Sequence, residues 1–110
     1  MRSAEECDDV GNDMALVTAF RSWFGLQKGT ASVLVALFRA AGTPVRVPHL
    51  CIHLDATRGS LFRQVCELRR SMGCGAIAHS RGEGYALTQS GLEECRGALQ
   101  DLMERLAEAA

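Results

Sequence analysis

Two adjoining stretches decide the architecture of this chain: "SRGEGYAL", Ser80–Leu87, and "SLFRQVCELRRSMG", Ser60–Gly73, just before it. In the first, Gly82 and Gly84 follow Arg81 and precede Tyr85 and Leu87, which reads as the tight turn of a β-hairpin. "CGAIAHSRGEGYALT" reads as two short strands joined by this turn, with Ile77 and His79 on one side and Tyr85 and Leu87 placed to pair and pack. The stretch is no phosphate-binding loop, because "RGEGY" lacks the GK[ST] ending whose lysine and hydroxyl reach phosphate and Mg²⁺.

The second stretch reads as a helix, with Ser60 as its cap and Gly73 as its stop. Leu61, Val65, Leu68 and Met72 recur at i, i+4, i+7 and i+11, which builds one buried stripe. Arg63, Gln64, Glu67, Arg70 and Ser71 project away from that stripe, and Arg69 lies at its border. Guanidinium and amide groups in such a row can hydrogen-bond base edges and neutralise phosphates. The same row also suits an ordinary solvated helix face, so the neighbours must decide between them.

Upstream lie three more helices. "MALVTAFRSWFG" carries a stripe of Leu16, Val17, Phe20, Trp23 and Phe24, with Asn12 or Asp13 as cap and Gly25 as stop. "TASVLVALFRAAGTP" follows, capped by Thr30 and ended by Gly42 and Pro44, with Val33, Leu34, Leu37, Phe38 and Ala41 buried. "PHLCIHL" is a short helix with Pro48 in its first turn, and "DATRG" is the turn that leads out of it. After the hairpin, "SGLEECRGALQDLMERLAEAA" forms a long last helix, with a Ser90–Glu93 capping box. Its stripe is Leu92, Cys95, Leu99, Leu102, Met103 and Leu106.

Charge is segregated along the chain. The 110 residues carry a net charge of −1, yet Met14–Leu92 holds nine basic residues against Asp55, Glu67 and Glu83. Both ends are acidic. A basic centre between acidic ends is an electrostatic footprint that the overall balance hides. The 47% apolar content fits one globular domain, residues 13–110, behind an acidic, flexible N-terminus at 1–12. No apolar run suits a membrane helix, and "MRSAEECDDVGND" has no apolar core for a signal peptide. Cys7, Cys51, Cys66, Cys74 and Cys95 are odd in number and lack CxxC spacing, which fits a reduced cytoplasmic protein with cysteines as small apolar residues.

Three helices followed by a two-stranded hairpin is the order of a winged helix-turn-helix, mainly α with a small β-hairpin wing, here with extra N- and C-terminal helices. The residues also carry a family resemblance. Leu68, Arg69, Arg70, Met72 and Gly73, then Ile77, then Arg81, Gly82, Gly84, Tyr85 and Leu87, resemble the effector domain of OmpR-type response regulators in register. The likeness runs from Ser32 to Leu87, about half the chain. It departs where that family has a small sheet before its first helix, where Arg46 replaces a small capping residue, and in leaving no room for a receiver domain. "YALTQSGLEECRGAL" is similar to MarR- and PadR-type regulators, whose terminal helices dimerise.

The resemblance implies a sequence-specific transcriptional regulator of bacterial or phage character, bound to double-stranded DNA and associated with the nucleoid. Helix Ser60–Met72 would enter the major groove with Arg63, Gln64 and Glu67 facing bases. Arg69 and Arg70 would contact phosphates, joined by Thr57, Arg58 and Ser60 at the helix entry and by Arg46 and His49 at the bracing helix. Arg81 would enter the minor groove, where Glu83 is an unexpected acid. The N- and C-terminal helices would form a homodimer, with RNA polymerase a further candidate partner and no membrane contact. His49 and His53 have an i, i+4 metal spacing without further ligands nearby, and no nucleophile–base–acid grouping is present, so neither a metal, a cofactor nor an enzyme is expected. The competing function is a protein-interaction module built on the same fold.

Overall fold

The computed structural model describes the backbone of residues 2–109 and the side chains of residues 13–109. Helices α1 (Arg2–Phe24), α2 (Lys28–Arg39), α3 (Val47–Leu54) and α4 (Arg58–Met72) precede strands β1 (Ile77–Ser80) and β2 (Gly84–Leu87). A 3-10 turn at Cys74–Ala76 leads into β1, and α5 (Gln89–Ala109) closes the described chain. The protein is mainly helical with one small antiparallel hairpin. Among the described residues, no helix is long and apolar enough to cross a membrane.

The core is built around α2. Thr30, Ala31, Val33, Leu34, Val35 and Leu37 are all buried, because α1, α3, α4 and β2 surround this helix. From α1, Phe20 is wholly buried and meets Phe38 edge-on, with ring centroids 5.7 Å apart. Leu61, Val65, Leu68 and Met72 of α4 fill the other side, as their spacing predicts. On α5 only the first half is core: Leu92, Cys95 and Ala98 are buried, whereas Met103 and Leu106 are exposed. Burial, with a smaller push from the Glu94 charge, raises the Cys95 thiol from 9.0 to about 12, so it is a packing group. The four described cysteines are free.

Every expected N-cap moves upstream. α1 begins at Arg2, not after Asn12 or Asp13; nothing in that segment stops a helix except Gly11, which costs only about 1 kcal/mol. The side chains of the expected acidic terminus, residues 1–12, lie outside the described set. α2 starts at Lys28 behind Gln27, which leaves Thr30 inside the first turn with its hydroxyl free to face α4. Thr57 caps α4, accepting the Ser60 N–H at 3.1 Å, so Ser60 is capped rather than capping. Thr88 does the same for α5 in place of Ser90: its Oγ1 accepts from Gly91 N at 3.2 Å and lies 2.6 Å from the Gly75 carbonyl. At α4 and α5 a threonine three positions before the amide reaches it, whereas Gln27 before α2 makes no side-chain cap.

The hairpin pairs Ile77 with Leu87 and His79 with Tyr85. Glu83 N donates to Ser80 O at 3.0 Å across the turn, and Gly82 takes the positive φ of +82° that the turn requires. β2 has a second neighbour that the sequence did not announce. Val45 N donates to Tyr85 O at 2.8 Å and Tyr85 N to Val45 O at 3.0 Å, joining the α2–α3 connection to the hairpin. This is why every residue of β2 is buried. It also explains Gly84, since a Cβ there would collide with the Val45 carbonyl.

Candidate nucleic-acid interface

Beyond its buried stripe, α4 has two flanks with different neighbours. One flank faces the α1–α2 connection. The Thr30 hydroxyl donates to Glu67 Oε1 at 2.7 Å, and an open pocket here is lined by Gly25, Leu26, Gln27, Thr30, Glu67, Arg70 and Ser71. Gln64 leans over Gly29, where an added Cβ would fall 2.7 Å from its Nε2. Its Oε1 is buried with no hydrogen-bond partner. Gln64 and Glu67 therefore turn toward α2 and do not share an outward face with Arg63. Of the expected base-reading trio, Arg63 alone is exposed, while Gln64 and Glu67 are half-buried.

The other flank faces the hairpin. A groove of about 310 Å³ is lined by Arg46, Val47, Pro48, Arg58, His79, Arg81, Gly82 and Gly84. Its three arginines come from three places: the residue before α3, the first residue of α4 and the hairpin turn. His79 joins them from β1, stacked on Tyr85 with ring centroids 4.6 Å apart. No acid lines the groove, and the exposed Glu83 is not among its residues. Among the described residues, neither ion pair (Arg39 with Asp13, Arg105 with Asp101) involves a groove arginine.

Other expected contacts are placed elsewhere. Arg69 donates from Nη2 to the Ile77 carbonyl at 3.2 Å, so part of its guanidinium braces the hairpin against α4. Thr57 and Ser60 are a cap and its amide. His49 is on a different surface, in a depression shared with Arg39 and His53 between α2 and α3. Among the described residues no three His, Cys, Asp or Glu side chains are grouped to hold a metal ion.

Two residues of this surface escape a sequence reading. In sequence His79 reads only as a strand residue, yet it stacks on Tyr85 and lines the groove. Phe62 belongs to neither the buried stripe nor the polar row of α4 and is 59% exposed. An apolar residue that breaks the i, i+4, i+7 series was the signal available. No protein-family model matches this chain, and neither the curated proteins nor the solved structures give a match.

Proposed function

We propose that this protein is a winged-helix DNA-binding regulator in which the groove between the starts of α3 and α4 and the hairpin receives the phosphate backbone. The observation that carries this reading is the convergence of Arg46, Arg58, Arg81 and His79 from four separate segments onto one acid-free groove. Like charges gathered this way repel one another, and a polyanion relieves that repulsion. Two helix starts border the groove: Val47 and Pro48 open α3 and Arg58 opens α4, and free backbone N–H groups at a helix start favour an anion.

In this arrangement α4 lies in the major groove with Arg63 toward the base edges and Arg70 toward a phosphate. Arg81, at the hairpin turn, reaches the minor groove, whose narrow stretches attract arginine. Gln64, Glu67 and Arg69 act from behind, fixing the helix against α2 and the hairpin. Met14 and Trp23 on α1, with Met103 and Leu106 on α5, are the exposed apolar groups available for a homodimer. A dimer would place two copies of α4 on two half-sites.

The test is fluorescence anisotropy on random duplex DNA at about 50 and 200 mM salt, where a protein neutralising several phosphates loses orders of magnitude in affinity. Arg46→Ala, Arg58→Ala and Arg81→Ala are each expected to flatten the slope of log K against log salt by about one. A fully monomeric mass at tens of micromolar protein would remove the dimer. The second reading is a module that binds a partner protein. Absence of DNA binding at the lower salt would select it.

A further inference from the structure

We infer that Phe62 is a specificity residue of α4 that packs on the C5-methyl group of a thymine in the major groove, an inference that rests on the DNA-binding reading above. Phe62 is the fifth residue of α4 and is 59% exposed, although an aromatic ring in water gains nothing from the fold. Its place on the helix is specific. At 100° per residue it lies about 40° from Arg58, about 20° from Arg69 and about 100° from Arg63. It also stands about 60° from Val65, the nearest buried member of the core stripe. The ring thus sits between the arginine-lined groove and the outward Arg63, in the first half of the helix, which is the part that meets base edges when such a helix docks.

The surroundings decide what the ring can meet. Arg58 and Arg69 on one side of the ring and Arg63 on the other favour a polyanion and disfavour the apolar centre of a protein interface, where charged residues are depleted. Inside the major groove the apolar feature of a base pair is the thymine methyl, and phenylalanine is a side chain that contacts it. Arg63 and Phe62 then divide the reading: hydrogen bonds for one base and methyl contact for a neighbouring one.

The experiment separates this inference from the reading beneath it. Duplexes are selected from a random pool with the full chain, and each thymine of the selected site is replaced in turn by deoxyuridine, which keeps its base pairing and loses only the methyl. At one thymine position per half-site, binding is expected to weaken about four-fold, the size set by burying one methyl-sized group. Phe62→Ala is expected to keep the wild-type melting temperature and salt slope while binding the thymine and deoxyuridine sites equally. Phe62→Leu, which retains an apolar contact, is expected to keep part of the discrimination. Indifference of the wild-type protein to every deoxyuridine, or an undiminished penalty in Phe62→Ala, overturns the thymine contact while leaving DNA binding in place. Failure to bind any duplex overturns the DNA-binding reading itself, and this inference with it.

Discussion

The two flanks of α4 carry polar side chains of similar kind and do opposite things with them. Toward the hairpin, Arg58 joins Arg46, Arg81 and His79 around an open groove with no acid in its wall. Toward α2, Glu67 accepts from Thr30 and Gln64 covers Gly29, so polar groups serve contacts within the chain. A charge left without an internal partner is available to a ligand, whereas a carboxylate holding a hydroxyl is already in use. The comparison teaches that exposure along a helix is not a single face. Its neighbours divide it into a part that holds the fold and a part that is left to bind.

That division can be broken from either side. The largest effect is expected at the hairpin, where Gly84→Ala forces a methyl onto the Val45 carbonyl at a positive φ and should cost about 3 kcal/mol in a urea melt. Gly82→Ala, with φ +82° but open space around it, should cost only about 1 kcal/mol. Equal losses at the two glycines would mean that Val45 does not hold the hairpin in place. On the α2 flank, Thr30→Val removes the donor to a carboxylate and is expected to destabilise the protein by about 2 kcal/mol. Its salt slope on DNA should match the wild type, and a flatter slope would merge the two flanks into one interface.

The smallest effect is expected at Gln64. Gln64→Met keeps the length of the side chain and deletes a buried oxygen that has no partner, so stability should be unchanged or higher by up to about 1 kcal/mol. Affinity for a selected DNA site should also stay constant. A ten-fold loss there would return Gln64 to the bases and show that the side chain swings outward on binding.

Much of the architecture was legible because it rests on local rules. The i, i+4, i+7, i+11 series from Leu61 to Met72 marked the buried stripe of α4, and the paired glycines marked the hairpin turn. Helix starts were less legible: Thr30, Ser60 and Ser90 are all plausible caps, and the hydroxyls of Thr57 and Thr88, or a simple bend at Gln27, take the role instead. The candidate site was legible in part. Arg46, Arg58, Arg63, Arg70 and Arg81 stand exposed. Glu67, Gln64 and Arg69 make contacts within the chain and His49 stands away from the groove, placements that periodicity alone leaves to the packing of other elements.

By itself the sequence determined the order of helices and hairpin, the buried stripe of α4 and the concentration of positive charge between acidic ends. These follow from side-chain periodicity, turn chemistry and charge, which act over a few residues. Tertiary structure alone decided that Val45 pairs with β2, that Thr30 takes the carboxylate of Glu67, and that arginines at 46, 58 and 81 share one groove. Those facts join residues far apart in the chain, and a one-dimensional pattern carries no record of which helix flank its neighbour will cover.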